Sequence, residues 1–268
     1  KTGALGGATA QLYKKIPTKA PYADPEDNGV AELVAAVEAD SNITVCLNST
    51  LTNTAGAPGR FAADISTESG STETKDFGAI VQASGFTPYD ANQLPEFSYG
   101  KNKDVVTQAE LEALAIAANG GAIKRPSDGK EVESVLFIQC AGQRSKKEGH
   151  LEHCSGYCCS TSIKQAMYFK DQNADVDTTV LFTDLRTPGA GGENFYRSGQ
   201  KKGVIFTKGI ASEVVDGASP TVKFKDLILD EEVDLEVLAE RGVADLGRLL
   251  VQVREDPGVV HQDVELPK

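Results

Sequence analysis

The pattern of apolar and polar positions divides the chain into segments of different period. In VAELVAAVEAD, residues 30–40, the apolar side chains of Val30, Leu33, Val34 and Val37 share one helical face, after a proline-rich loop over 15–29. NITVCLNST (42–50) reads as a strand, with Cys46 as a core residue of it. RFAADIST (60–67) and DFGAIVQASG (76–85) flank the polar turn ESGSTETK, which predicts antiparallel strands followed by a buried one ending at Gly85. Residues 86–106 are loop-like, and TQAELEALAIAANGG from Thr107 has the cap and the terminal glycine pair of a helix.

After the turn RPSDGKEV (125–132), a candidate domain boundary, strand and helix patterns alternate. SVLFIQC, TTVLFTDLR and VIFTKG read as strands, and STSIKQAMYFKDQ and GENFYRSGQKKG as the helices between them. That alternation predicts an α/β fold with a parallel, doubly wound sheet. TVKFKDLIL (221–229) suggests one more strand or hairpin, 235–253 a helix, and 254–268 an irregular segment.

Composition narrows the classes of function. At 268 residues the chain is long enough for one large or two ordinary domains. Its net charge of -12 argues against nucleic acid, whose backbone is bound by basic surfaces. The apolar run VLFI at 135–138 is far shorter than the roughly 20 residues that cross a bilayer, so membrane association is expected only through a partner. The first fifteen residues lack the apolar core of a secretory signal, and five cysteines, an odd number, do not read as a disulfide scaffold.

Four of those cysteines, however, fall in IQCAGQRSKKEGHLEHCSGYCCS, residues 138–160. Cys140 ends the apolar strand at the sheet edge where α/β folds bind ligands, and Cys154, Cys158 and Cys159 precede the next helix. Thiolates brought together there suit an iron–sulfur cluster or a tetrahedral zinc, and the positive end of the helix favours both. A redox dithiol, a disulfide set or buried free cysteines are the alternatives, and His150 and His153 are either further ligands or solvated loop residues. A second set, GALGG (3–7) with GAIVQASGF (78–86), offers glycine turns that a dinucleotide approaches closely or that are ordinary turns. DLRTPGAGGENFY (184–196), at another strand end, is a ligand or partner contact or a flexible crossover turn.

The stretches RPSDGK, VLFIQCAGQR, CSGYCCSTSIKQA, DLRTPGAGGENFY and GVIFTKG together resemble the family of the heterodisulfide reductase A subunit, including its relatives in the quinone-interacting membrane-bound oxidoreductase complex of sulfate reducers. The resemblance implies a thioredoxin-reductase-like fold with part of an FAD-binding domain over 1–124, a nicotinamide-domain-like α/β domain over 125–230 and a return to the FAD domain over 231–268. It implies a [4Fe-4S] cluster on Cys140, Cys154, Cys158 and Cys159, and FAD approached by Gly6, Gly7, Ser84 and Gly85, with Ser84 where the family has Thr. It also implies electron transfer among redox subunits of a cytoplasmic complex, in sulfate- or sulfur-linked energy metabolism. The family's first strand and glycine fingerprint are missing, so the chain is expected to be a fragment, and cysteines occupy the loop that would carry a nicotinamide fingerprint. A non-catalytic assembly module with a zinc or an empty cysteine site is the rival function, and a dithiol oxidoreductase using Cys158 and Cys159 a third.

Overall fold

A computed structural model of the protein describes residues 2–217, 220–236 and 248–252. The chain forms two compact units, one of residues 1–11 and 28–85 and another of 12–27 and 86–268.

In the first unit a short 3-10 turn, Gly7–Gln11, and the helix α1, Val30–Ala39, accompany the antiparallel meander β1 (Ser49–Ala57), β2 (Arg60–Thr67) and β3 (Thr72–Phe77). Gly6 is required where the turn meets α1. Its φ is +100°, and a Cβ there would stand 2.8 Å from the Ala10 Cβ and 2.9 Å from Val30. The meander is rich in Thr, Ser and Asn, and among its described residues only Ala63 is buried. Cross-strand side-chain bonds such as Asn53 to Asp64, 3.1 Å, and Thr74 to Asp64, 2.6 Å, supplement its ladder.

Two expectations fail in this unit. Residues 43–46 are irregular and Cys46 is exposed, because the first strand begins only at Ser49. The run 78–85 forms no strand either, and Val81 is 87% exposed. Among the described residues β3 pairs with β2 alone, and no strand pairs with this apolar run.

The second unit is built on a seven-stranded sheet. Its strands are β4 (Val105–Thr107), β5 (Ser134–Ile138), β6 (Asp177–Phe182), β7 (Ile205–Val215), β8 (Thr221–Asp226), β9 (Glu231–Glu236) and β10 (Arg248–Gln252), in the order β4-β10-β5-β6-β7-β8-β9. The first five of that order run parallel and the last pairs are antiparallel. The α/β fold with a parallel core, expected from the strand–helix alternation, is therefore present. β5 is buried throughout and apolar from Val135 to Ile138, because both its faces are covered. Val135 and Phe137 join one core cluster with α2 (Gln108–Ala118) and α3 (Cys158–Gln172), while Leu136 and Ile138 join another with Leu94, Phe97, Val222 and Phe224. The helix α4, Gly192–Lys201, joins β6 to β7 and sets Phe195 against Ile163 and Met167 of α3.

α2 starts at a reciprocal cap, with Thr107 and Glu110 each bonding the other's backbone N–H, as its sequence predicts. The turn at 125–132 lies inside this unit. Arg125 is 6% exposed and pairs with Asp104 and Asp128, and Asp104 also accepts from the backbone N–H and hydroxyl of Ser127 at 3.0 and 2.7 Å. The helix expected over 235–253 falls mainly outside the described residues. Its described ends, 235–236 and 248–252, are strand, and 254–268 lies outside.

Candidate functional site

β5 and β6 are parallel neighbours, so the segments leaving their carboxyl ends lie side by side. One carries Cys140 and Arg144, the other Asp184 and Arg186. Leaving β5, the chain turns sharply, with positive φ at Cys140 (57°), Gly142 (72°) and Arg144 (56°). It is then closed by a bridge from Gln143 to Leu151 and by the Arg144 N–H bonding to the His153 carbonyl at 3.3 Å. The Ser155 N–H donates to the Gln143 side chain at 3.2 Å, which fixes the chain beside Cys154. Helix α3 then begins with Cys158 and Cys159, both buried.

Four cysteines thereby gather at this end of the sheet: Cys154 and Cys159 act electrostatically on Cys140, and Cys140, Cys154 and Cys159 on Cys158. Burial pushes the Cys140 thiol up, against the opposing pull of Arg144, whose guanidinium lies 3.9 Å from its sulfur. Cys158 and Cys159 act as a pair. Cys158 donates its thiol hydrogen to Cys159, which pushes Cys158 up and brings Cys159 down to about 7 against the effect of its burial. The backbone N–H of Arg186 and the charges of Arg144 and Arg186 also favour the Cys159 thiolate. The Gly156 N–H lies 3.4 Å from the Cys154 sulfur. A depression of about 490 Å³ lined by Cys154, Gly156, Arg186, Thr187 and Pro188 opens beside the group.

Arg144 is held in turn. Its guanidinium donates to Asp184 at 2.6 Å, and that bond keeps the Asp184 carboxyl below the usual carboxylate range. Asp184 and Arg186 fall in the DLRTPGAGG stretch that the sequence marks as a contact. Arg144 is the residue that sequence reasoning misses, although it stands within the cysteine stretch itself. The two histidines do not join the cysteines. His150 is largely buried with its Nε2 3.8 Å from Glu96, and His153 is exposed.

The donor set fits an iron–sulfur cluster. It consists of thiols alone, its charge is balanced by two arginines and backbone N–H groups, and it sits at the positive end of a helix. Among the described residues no group of three or more His, Cys, Asp or Glu is arranged to hold a single metal ion. A cluster is several atoms wide, and its ligating sulfurs stand farther apart than those on one ion. In the first unit, Gly7 and Gly85 have positive φ and open space where a Cβ would stand, and Ser84 is exposed.

No protein-family model matches the chain. It is 35% identical over 186 residues to the A subunit of the ferredoxin/F420H2-dependent CoB-CoM heterodisulfide reductase of Methanosarcina acetivorans, covering 65% of this chain and 23% of that one. It is 34% identical over 167 residues to the A subunit of the H2:CoB-CoM heterodisulfide,ferredoxin reductase of Methanothermobacter marburgensis, covering 60% and 25%. An iron-sulfur A subunit of the CoB–CoM heterodisulfide reductase of Methanopyrus kandleri is 35% identical over 167 residues, covering 59% and 25%. The chain thus spans about a quarter of the length of these curated relatives. Among solved structures, the bacillithiol disulfide reductase of Bacillus cereus matches 89% of this chain and 58% of its own at 12% identity, with a TM-score of 0.42. Over roughly two thirds of its length, then, this chain is similar to the A subunit of heterodisulfide reductase.

Proposed function

We propose that this chain is an electron-relay segment of a heterodisulfide-reductase-like oxidoreductase subunit, with Cys140, Cys154, Cys158 and Cys159 holding a [4Fe-4S] cluster. The observation that carries the proposal is the gathering of these four thiols, separated by up to nineteen positions in the sequence, at one sheet edge and one helix start. Bound there, the cluster supplies a one-electron couple. The chain's residues hold it and set its surroundings. Arg144, anchored by Asp184, places a fixed cation 3.9 Å from the Cys140 sulfur, and the α3 N-terminus and the Arg186 N–H oppose the negative charge of the thiolates.

FAD belongs to the proposal as the flavin partner. Gly7 and Gly85, where bare backbone is open to approach, with Gly6 and Ser84 beside them, are its proposed contacts. Redox subunits of a larger complex, in cytoplasmic sulfur- or sulfate-linked metabolism, complete the setting, with membrane contact only through such a subunit. The depressed Cys159 thiol supports a second reading, a Cys158–Cys159 dithiol acting on disulfides. Both thiols are 2% exposed, however, which closes them to a bulky substrate.

The test is anaerobic iron and sulfide reconstitution of the full-length subunit, followed by metal analysis and visible absorption. Iron and sulfide in equal amounts in wild type, lost in Cys140→Ser and Cys159→Ser but kept in Cys46→Ser, is the expected result. Zinc without iron would favour a structural site. A metal-free protein that reduces disulfides and loses that activity in both Cys158→Ser and Cys159→Ser would favour the dithiol.

A further inference from the structure

Gln139 stands between the last residue of β5 and Cys140. Its side chain is buried at 6% exposure, and neither its Oε1 nor its Nε2 has a hydrogen-bond partner among the described residues. A buried amide with both ends unpaired costs free energy that an apolar residue of the same size would not. Gln139 is therefore unfavourable at this position unless something outside the folded chain bonds to it.

The strand gives its direction. The Gln139 N–H still donates to the Leu181 carbonyl of β6 at 3.0 Å, so the β5–β6 pairing reaches Gln139, the first residue of the turn that follows the strand. Along this strand Leu136 and Ile138 belong to one core cluster, while Val135 and Phe137 belong to the cluster that contains Cys158 and Cys159. Alternation puts Gln139 on the second face, the face covered by the helix whose first two residues are those cysteines. Cys140 follows it directly.

We infer that the Gln139 amide donates through Nε2 to a sulfur of the cluster proposed above, and is the positioning residue that tunes its potential. The inference rests on that cluster reading. A hydrogen bond to a cluster sulfur stabilises the more negatively charged reduced form, so it raises the reduction potential. The competing occupant is a buried water, which would satisfy the amide and leave the potential alone.

The experiment uses the full-length subunit, reconstituted anaerobically, as wild type and as Gln139→Met, which keeps the volume and removes the donor. Should Gln139→Met take up no iron, Gln139→Leu makes the same comparison. The expected result has three parts: an unchanged iron content, a reduction potential shifted to more negative values in an EPR-monitored titration, and loss of an exchangeable-proton coupling from the pulsed EPR spectrum of the reduced cluster. In iron-free protein the same substitution should raise the melting temperature, because it removes two unpaired buried polar atoms. Iron bound equally in both proteins, with neither potential nor proton coupling altered, overturns the role of Gln139 and leaves the cluster standing. Wild type that takes up no iron overturns the cluster reading, and this inference with it.

Discussion

Substituting Lys164 by Met tests whether α3 is locked in place by charge. Lys164 and Glu112 have side chains only 3% exposed, and their N–O distance is 2.9 Å. At an effective dielectric of about 20, that separation corresponds to a gross attraction of roughly 6 kcal/mol, much of it offset by desolvation of the two ions. Removing one partner of such a pair typically costs about 3–5 kcal/mol, because the other charge stays buried. Here the lower end applies, about 3 kcal/mol, since Glu112 also accepts from the Tyr13 N–H at 2.8 Å, Gln165 at 2.7 Å and the Tyr168 hydroxyl at 3.2 Å. In a unit of this size the melting point should fall on the order of 10 °C. Urea titration followed by far-UV circular dichroism measures the loss, with Arg197→Met, which breaks the exposed pair to Glu193, as a control expected to cost under about 0.5 kcal/mol. In the double variant Lys164→Met/Glu112→Gln, which keeps an acceptor oxygen and removes the stranded charge, part of the loss should return. A Lys164→Met cost no larger than the control, or no coupling in the double variant, refutes the reasoning.

The capping box of α2 gives a smaller effect. Thr107→Ala removes the side-chain acceptor for the Glu110 N–H and should cost about 1 kcal/mol in the same titration. The pair of Asp128 with Arg125 gives a dependence on pH. The hydrogen bond from the guanidinium holds the Asp128 carboxyl below its usual range, so between its folded and unfolded pKa values the unfolded chain binds more protons and stability rises with pH. The contribution is present above about pH 4 and is lost as pH falls through the folded pKa. Urea midpoints taken from pH 6 down to pH 2 should therefore drop more steeply in wild type than in Asp128→Asn, and parallel curves would remove Asp128 from the acid transition.

How much is legible in the sequence depends on whether each segment's burial is settled locally. β5, α3, β6, α4 and β7 are readable because their apolar runs or periods are long and each ends at a turn that needs no distant partner. The run 78–85 is just as apolar and reads as a strand, but a strand exists only beside another, and none accepts it among the described residues. Cys46 goes with it, since its expected burial rests on a strand at 43–46 that does not form. At the site, the four cysteines are visible as a cluster of residue type, and their spatial gathering follows from strand-end and helix-start logic. Arg144 is not visible as a partner of Cys140, because the contact depends on the left-handed turn at 140–144, where Cys140 and Arg144 both have positive φ without being glycine.

That turn also links the core to the chemistry. Eleven of the fifteen residues of α3 are buried, and its polar members Ser162, Lys164 and Gln165 are bonded to α2 or to the Lys14 carbonyl rather than to solvent. A helix held along its length in this way cannot slide or tilt without breaking buried polar bonds, so the positions of Cys158 and Cys159 are set by contacts several turns away. Cys140 stands two residues beyond β5, in a turn closed by the Gln143 N–H donating to its carbonyl at 3.1 Å. The quartet is therefore assembled from one firmly held helix start, which carries Cys158 and Cys159, and from the segment after β5, which carries Cys140 and Cys154. A site meant to exchange disulfides needs sulfurs that approach and part, whereas an electron relay works best when its ligands keep their geometry between charge states. The packing of this unit favours the relay.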